Sequence, residues 1–458
     1  MSFTSFTFLF MVLPLFILSS LFLSVKKSNW ILLLVSLFFY SWGDPHHFFL
    51  LILLMIYNFA LLSFMNKRTG KRRKSLLIQG VLVNIFLLFY FKYYGFILNT
   101  IGSMFHFKIQ FEPIPLPIGI SFITFSVLSV LFDYYKDENR PMHGFFEYAL
   151  YVSFFPKLLM GPIERFEPFF HQIYHRKVSF PKASEGIERF IIGLSKKVLL
   201  ADSLSVLYGL AIAEGTISFY TVWIAVAAFT LQIYFDFSGY TDMALGLAKI
   251  AGFELMENFN YPYIAKSISD FWRRWHISLS QWFRDYIYIP LGGNRVPVPR
   301  HILNILVVWM TTGLWHGASW TYIFWGFYYG LLLIIEKYGI SKLRLPHWLK
   351  WFSTFFLVMI GWVFFFSPTI QQAFHYLGAM FGAEGFALHH TLWLIQNYGI
   401  ILLLGAIFIF PLPGKIYQRI HHDPQGQWMC TAILVVLLFL CIAALLNSTY
   451  QSFLYAAF

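Results

Sequence analysis

Charge is scarce in this chain. Asp, Glu, Lys and Arg together make up 12% of the 458 residues, against ~25% in ordinary globular domains. A water-soluble fold of this length needs a charged surface that such a composition does not supply. Cysteine is nearly absent as well. Cys430 and Cys441 are the only two. They fall on one predicted helix, roughly 16 Å apart along its axis at 1.5 Å per residue, which is too far for a disulfide. A disulfide framework and a thiolate metal site are both excluded. HExxH, a Cys/His cluster, a P-loop and a G-x-S-x-G elbow are all missing, so no metal hydrolase, ATP-driven pump or serine hydrolase is indicated. The pairs His46–His47, His389–His390 and His421–His422 are adjacent in loops, a spacing that suits a shared metal less well than i, i+4. No metal site is expected. No basic run accompanies a nucleic-acid module, and the start MSFTSFTFLF lacks the basic flank of a signal peptide.

Apolar residues are plentiful. They make up 58% of the chain, with 55 Phe among them. Runs near the ~20 residues that cross hydrocarbon occur at 5–25, 76–98, 188–212, 217–248, 319–337, 392–411 and 428–447. Shorter ones lie at 29–42, 46–64, 118–135, 302–316 and 350–366. These predict an all-α integral membrane protein with about eleven to thirteen transmembrane helices. Lys and Arg total 33 against 21 acidic residues, an excess that reads as the cytoplasmic bias of membrane loops. Placing Lys67, Arg68, Lys71, Arg72, Arg73 and Lys74 inside also puts Lys26 and Lys27 inside. The stretches 136–143, 171–182, 257–300, 337–350 and 412–421 then follow inside, and both termini fall outside. That parity requires 145–165, broken by Pro156, Gly161 and Pro162, to be a re-entrant segment that returns to its own side.

The longest stretch between spans, 255–300, contains DFWRRWHISLSQWFRDY at 270–286. On a helix, Trp272, Trp275, Leu279 and Trp282 form one stripe, with Arg273, Arg274, His276 and Arg284 beside or opposite it. One reading is an interfacial amphipathic helix with its indoles at headgroup depth. The other is that the arginines and His276 face a cavity receiving an anionic donor from the cytosol.

His316 ends one spanning run within TTGLWHGASW, 311–320. An ionisable residue in a membrane segment is a functional candidate, although a neighbouring carbonyl can also satisfy it without chemistry. Gly313–Gly317 and Gly326–Gly330 are GxxxG pairs that predict close helix packing around it. Asp236 and Asp242, in YFDFSGYTDMALGLAK, are expected to pair with Arg273 or Arg274, to orient a histidine or to carry protons. Structural ion pairs are the simpler assignment.

These residues carry a resemblance. SLFFYSWG (36–43), PIGISFITF (117–125), FPKLLMGPIERF (155–166), KKVLLAD (196–202), ENFNYPY (257–263), SISDFWRRWHISLSQWFRDYIYIPLGGN (267–294) and GLWHGASW (313–320) resemble the membrane-bound O-acyltransferase superfamily, in particular the bacterial alginate O-acetyltransferase membrane-subunit branch. Ser126 departs from the glutamine common at its position. The resemblance implies one polytopic domain over 1–458, with N-terminal helices to 110, a motif-bearing core at 115–340 and C-terminal helices from 345. It implies a helical ring around a polar tunnel, with His316 as the essential membrane histidine and His276 as the second. Arg273, Arg274, Arg284, Trp275, Trp315, Asp236 and Asp242 are the candidates for donor binding or for lining that tunnel. The implied reaction transfers acetyl from acetyl-CoA, a substrate rather than a resident cofactor. The acceptor would be an extracytoplasmic polysaccharide or a partner acetyltransferase protein, and the location the bacterial inner membrane. D-alanyl transfer to teichoic acid from a carrier protein is the alternative within the superfamily. A transporter or channel, and an inactive scaffold, are the alternatives outside it; the first does not account for WRRWH followed by LWHG, and the retained His316 argues against the second.

Overall fold

The computed structural model describes all residues except 108, 110, 214, 341–344, 448–452 and 454–458, so part of the basic loop at 337–350 lies outside the described residues. Every apolar run identified above is helical, because hydrocarbon offers no partner for backbone N–H and C=O groups that a helix does not satisfy internally. The order begins with α1 (Phe8–Phe22, opening on a π-helical turn), α2 (Val25–Gly43), α3 (Phe48–Asn66), α4 (Gly70–Met104) and α5 (Ile120–Lys136). Then come the short α6 (Phe145–Ser153), α7 (Phe155–Leu158) and α8 (Phe166–His175). Next, α9 (Phe180–Ser195) continues through a π-helical turn, Lys196–Ala201, into α10 (Asp202–Ala211), and α11 runs over Phe219–Ile250. The remainder is α12 (Ile268–Arg274), α13 (Ile277–Phe283), α14 (Val298–His316), α15 (Trp320–Ile334), α16 (His347–Phe366), α17 (Ile370–Met380), α18 (His389–Phe408), α19 (Leu412–His421) and α20 (Pro424–Asn447). No strand occurs among the described residues.

Seven of these helices are long and apolar enough to cross a membrane: α3, α4, α11, α15 with its π-helical extension to Ile340, α16, α18 and α20. That is fewer than the eleven to thirteen expected. The other runs are helical too, but α1 and α5 are shorter, and α2, α9–α10 and α14 carry polar residues such as Lys26, Lys196, Lys197 and Arg300.

The described residues fall into two compact units, Met1–Phe190 with Met243–Met256, and Ile191–Asp242 with the residues from Glu257 onward. In the first unit, two buried arginines tie helix ends together. The Arg73 guanidinium donates to the carbonyls of Met65 at 3.3 Å and Tyr134, in the last turns of α3 and α5, and to that of Asp137, just past α5, at 3.2 Å. Carbonyls in a last turn have no partner within their own helix and form the negative end of the helix dipole. Arg176 donates in the same way to Ile173 and Ala251 carbonyls and to Asn29 Oδ1, and lies over the Phe253 ring. The 145–165 segment is broken as its prolines and Gly161 predict. Phe154 (φ −50°, ψ 105°) separates α6 from the four-residue α7. Tyr151 Oη then donates to the Glu164 carbonyl at 2.7 Å, closing the turn-back. In the second unit, the backbones of α14 and α15 approach closely at Gly313 and Gly326, and all nine candidate site residues belong to this unit.

Candidate active site

The glycines of α14 and α15 set the position of His316. A Cβ on Gly313 would collide with the Tyr322 carbonyl oxygen, and one on Gly326 with the Trp309 carbonyl oxygen. Only glycine allows the two backbones this close, which is the packing that the GxxxG spacing predicted. His316 is the last residue of α14 and is 1% exposed. Its ring meets Trp325 at a centroid distance of 4.9 Å and Phe365 at 5.4 Å, both edge to face. Ser319 then starts α15 by accepting from the Thr321 N–H.

His276 enters from the other motif. The single amphipathic helix expected over 270–286 is instead two seven-residue helices, α12 and α13, broken at Trp275 and His276. His276 takes a left-handed conformation, φ 45°, which costs about 1–3 kcal/mol for a residue with a Cβ. The segment 258–260 holds the break. Asn260 N–H donates to the Arg274 carbonyl at 2.9 Å, and Ile277 N–H donates to the Asn258 carbonyl at 3.0 Å. The Asn258 side-chain oxygen accepts from Ser278 N–H at 3.1 Å and contacts His276 Nδ1 at 3.2 Å. The aromatic stripe is therefore not at a headgroup surface. Trp272, Trp275 and Trp282 are buried, with Trp275 packed on Trp362 at 4.9 Å and on Phe271 at 5.6 Å. Protein rings, not lipid headgroups, receive the stripe.

The two histidines lie in one aromatic cluster. The Trp315 ring is 5.8 Å from His276 and 5.0 Å from His316. On its other side His276 meets the edge of Phe237 at 4.8 Å. Burial in this apolar wall pushes the His276 imidazole down to about 3, because a low-dielectric surrounding disfavours the charged ring. His276 is therefore neutral at physiological pH. Several buried donors in the same cluster have no acceptor among the described residues: the indole N–H groups of Trp272, Trp325 and Trp362. Such donors are costly to bury unless something accepts from them. An aromatic site holding neutral imidazole and spare N–H groups can receive a carbonyl compound and take a proton from an attacking hydroxyl.

The charged candidates divide. Asp236 pairs with Lys197 at 2.8 Å, and Asp242 with Lys196 at 2.6 Å. The expected partners, Arg273 and Arg274, are not theirs; the lysines of KKVLLAD take that role because the π-helical turn at 196–201 presents both to α11. Lys197 also reaches Asp202 at 2.6 Å. Arg274 pairs with Asp270 at 2.9 Å and Arg284 with Asp285 at 2.8 Å. Arg273 is exposed and has no carboxylate partner among the described residues. The three arginines do not share one short helix, since Arg284 follows α13.

Asn258, Trp325, Trp362 and Phe365 were not singled out from sequence. Asn258 lies in ENFNYPY, a motif that sequence alone left without a role. The three aromatic residues look like any other membrane-helix aromatic until the fold collects them. Glu336 was also missed: its carboxylate caps α12, accepting from Ile268 N–H at 2.6 Å and Ser269 N–H at 3.2 Å.

The sequence model of the membrane-bound O-acyltransferase family matches residues 34–378. The chain is 40% identical over 391 residues to a protein of Pseudomonas aeruginosa named "Probable alginate O-acetylase AlgI", covering 83% of this chain and 75% of that one. It is 36% identical over 489 aligned positions to the protein of the same name in Pseudomonas putida, with all of both chains covered. It is 34% identical over 423 residues to the "Peptidoglycan O-acetyltransferase" of Helicobacter pylori, covering 84% of this chain and 80% of the relative.

Proposed function

This chain belongs to the membrane-bound O-acyltransferase family and is a multi-pass membrane acyltransferase, and we propose that it transfers acetyl from cytosolic acetyl-CoA to an extracytoplasmic acceptor. The acceptor is a hydroxyl of a polysaccharide, reached directly or through a partner acetyltransferase, and the membrane is the bacterial inner membrane. The names of the relatives support this choice, since alginate and peptidoglycan are both polysaccharides acetylated on oxygen.

The observation that carries the reading is His316, held at the end of α14 by the Gly313–Gly326 contact and walled by Trp315, Trp325 and Phe365. A thioester is already activated, so the protein has to align the reactants and remove one proton. The acceptor oxygen attacks the thioester carbonyl carbon while its proton passes to the His316 imidazole. The tetrahedral intermediate collapses with cleavage of the C–S bond, and the imidazolium returns the proton to the departing thiolate. Oxygen gains the acetyl group, sulfur gains the proton, and the histidine is unchanged. Arg273 is the guanidinium available to the donor's phosphates, for which its planar fork is suited.

The test uses purified protein in sealed vesicles with isotope-labelled acetyl-CoA on one side and polysaccharide on the other. Acetyl esters on the polymer, with free CoA left on the donor side, are expected. Labelled acetyl-CoA crossing intact would establish a transporter, and no consumption of thioester even with a partner protein added would indicate a scaffold.

A further inference from the structure

Asn258 is fully buried on the extended segment before α12. Its side-chain oxygen meets three groups: Ser278 N–H at 3.1 Å, Ser278 Oγ at 2.9 Å and His276 Nδ1 at 3.2 Å. A backbone N–H can only donate, so the Asn258 atom facing Ser278 N is the carbonyl oxygen and not the amide nitrogen. The same oxygen can only accept. His276 Nδ1, within hydrogen-bond distance of it, therefore carries a hydrogen. In a neutral imidazole the lone pair is then on Nε2. The backbone repeats the restraint, because the Asn258 carbonyl also takes the Ile277 N–H at 3.0 Å. The ring also meets Phe237 at 4.8 Å and Trp315 at 5.8 Å, and aromatic carbons do not accept from Nδ1–H as an amide oxygen does.

We propose that Asn258 is a positioning residue for acyl transfer: it locks His276 as the Nδ1–H tautomer and so presents Nε2 as an acceptor to a substrate amide N–H. Three bonds on one amide oxygen fix both the left-handed turn at 276 and the tautomer of the ring. The substrate group is an amide N–H of the donor's pantetheine arm, since the attacking hydroxyl gives its one proton to His316. The inference rests on the reading of His276 as part of the acyl-transfer site, but the tautomer itself is measurable with no substrate present.

The experiment is nitrogen NMR on the full-length protein labelled with ¹⁵N-histidine, with the His276 signals assigned by their loss in His276→Gln. The parent should show a protonated, pyrrole-type Nδ1 and an unprotonated, pyridine-type Nε2. Asn258→Asp, which keeps an acceptor oxygen, should preserve that pattern; Asn258→Ala should lose it and raise donor KM by about tenfold or more. A rise in donor KM identifies the pantetheine amide as the group on Nε2, and a parental donor KM in Asn258→Ala overturns that assignment. Donor KM in Asn258→Asp should stay below that of Asn258→Ala. A pyrrole-type Nε2 in the parent overturns the proposal. So does an Asn258→Ala protein with lowered melting temperature but parental kinetics, which would make the residue merely structural. If Asn258→Ala does not fold, the parent spectrum and Asn258→Asp still decide. An Nδ1–H tautomer in a protein that transfers no acyl group would sink the acyltransfer reading and leave the hydrogen-bond assignment standing.

Discussion

His276 and His316 flank a single indole: the Trp315 ring centroid lies 5.8 Å from the first imidazole and 5.0 Å from the second, tilted 62° and 76° to them. One histidine comes from a backbone break between two short helices, the other from the end of a long one. Edge-to-face contacts of this kind fix ring orientation through the aromatic quadrupole. The shared wall is what couples two motifs that are forty residues apart in sequence.

Replacing His316 tests the chemistry. His316→Ala and His316→Gln should each lower acetyl transfer by ~10²-fold or more, the usual contribution of a general base. Both should extract and melt close to the parent. Retention of more than about a tenth of parental turnover in a folded variant would exclude His316 as the base.

The glycine contact gives a second expectation. Gly326→Ala places a methyl against the Trp309 carbonyl and the Gly313 backbone, neither of which can rotate away. Overpacking of this kind costs about 1–3 kcal/mol. A lower melting temperature and a lower kcat are expected together, since α14 carries His316. Gly385→Ala is not an equivalent control, because that residue has positive φ; Gly209→Ala, with open space around it, should change neither.

The buried ion pair yields a double-mutant cycle. Lys197→Met removes the cation that Asp236 and Asp202 share, and breaking a buried pair from one side costs about 3–5 kcal/mol. Adding Asp236→Leu should recover much of that loss. Equal stability in Lys197→Met and the parent, measured by thermal unfolding in detergent, would show that the pair is not a structural tie.

His276 makes stability depend on pH. Its folded-state value, about 3, lies below the ~6.5 of an exposed histidine. As pH falls below about 6.5 the unfolded chain takes up a proton that the folded ring refuses, so stability declines at up to ~1.4 kcal/mol per pH unit until about pH 3. Between pH 7 and pH 5 this amounts to about 2 kcal/mol. His276→Gln should flatten that part of the melting-temperature profile; identical slopes in the two proteins would show that the ring is not desolvated.

The arginines separate by partner. Arg273→Lys should raise donor KM more than it lowers kcat, because a lysine cannot reproduce bidentate contact with phosphate. Arg274→Lys should act on stability, since Arg274 already bonds Asp270 and the Asn260 carbonyl. An unchanged donor KM in a folded Arg273→Lys protein would remove Arg273 from the donor site.

Sequence by itself determined the class of this protein. Too little charge for a water-soluble surface and a dozen apolar runs permit only a helical membrane chain, and local hydrophobicity is enough to read that. The WRRWH and LWHG blocks marked His276 and His316, and the GxxxG spacing at Gly313 and Gly326 announced a helix contact, because such signals reside in residues adjacent or one turn apart. Tertiary structure decided everything that depends on partners distant in sequence. It broke the 270–286 helix at His276, since Asn258 offers bonds that a continuous helix could not use. It buried Trp272, Trp275 and Trp282 in protein, a choice of solvent that helical periodicity cannot make because lipid, headgroup and protein interior all accept an indole. It gave Asp236 and Asp242 to lysines rather than arginines, because Lys197 and Lys196, in the π-helical turn at 196–201, reach these two carboxylates of α11 at 2.8 and 2.6 Å.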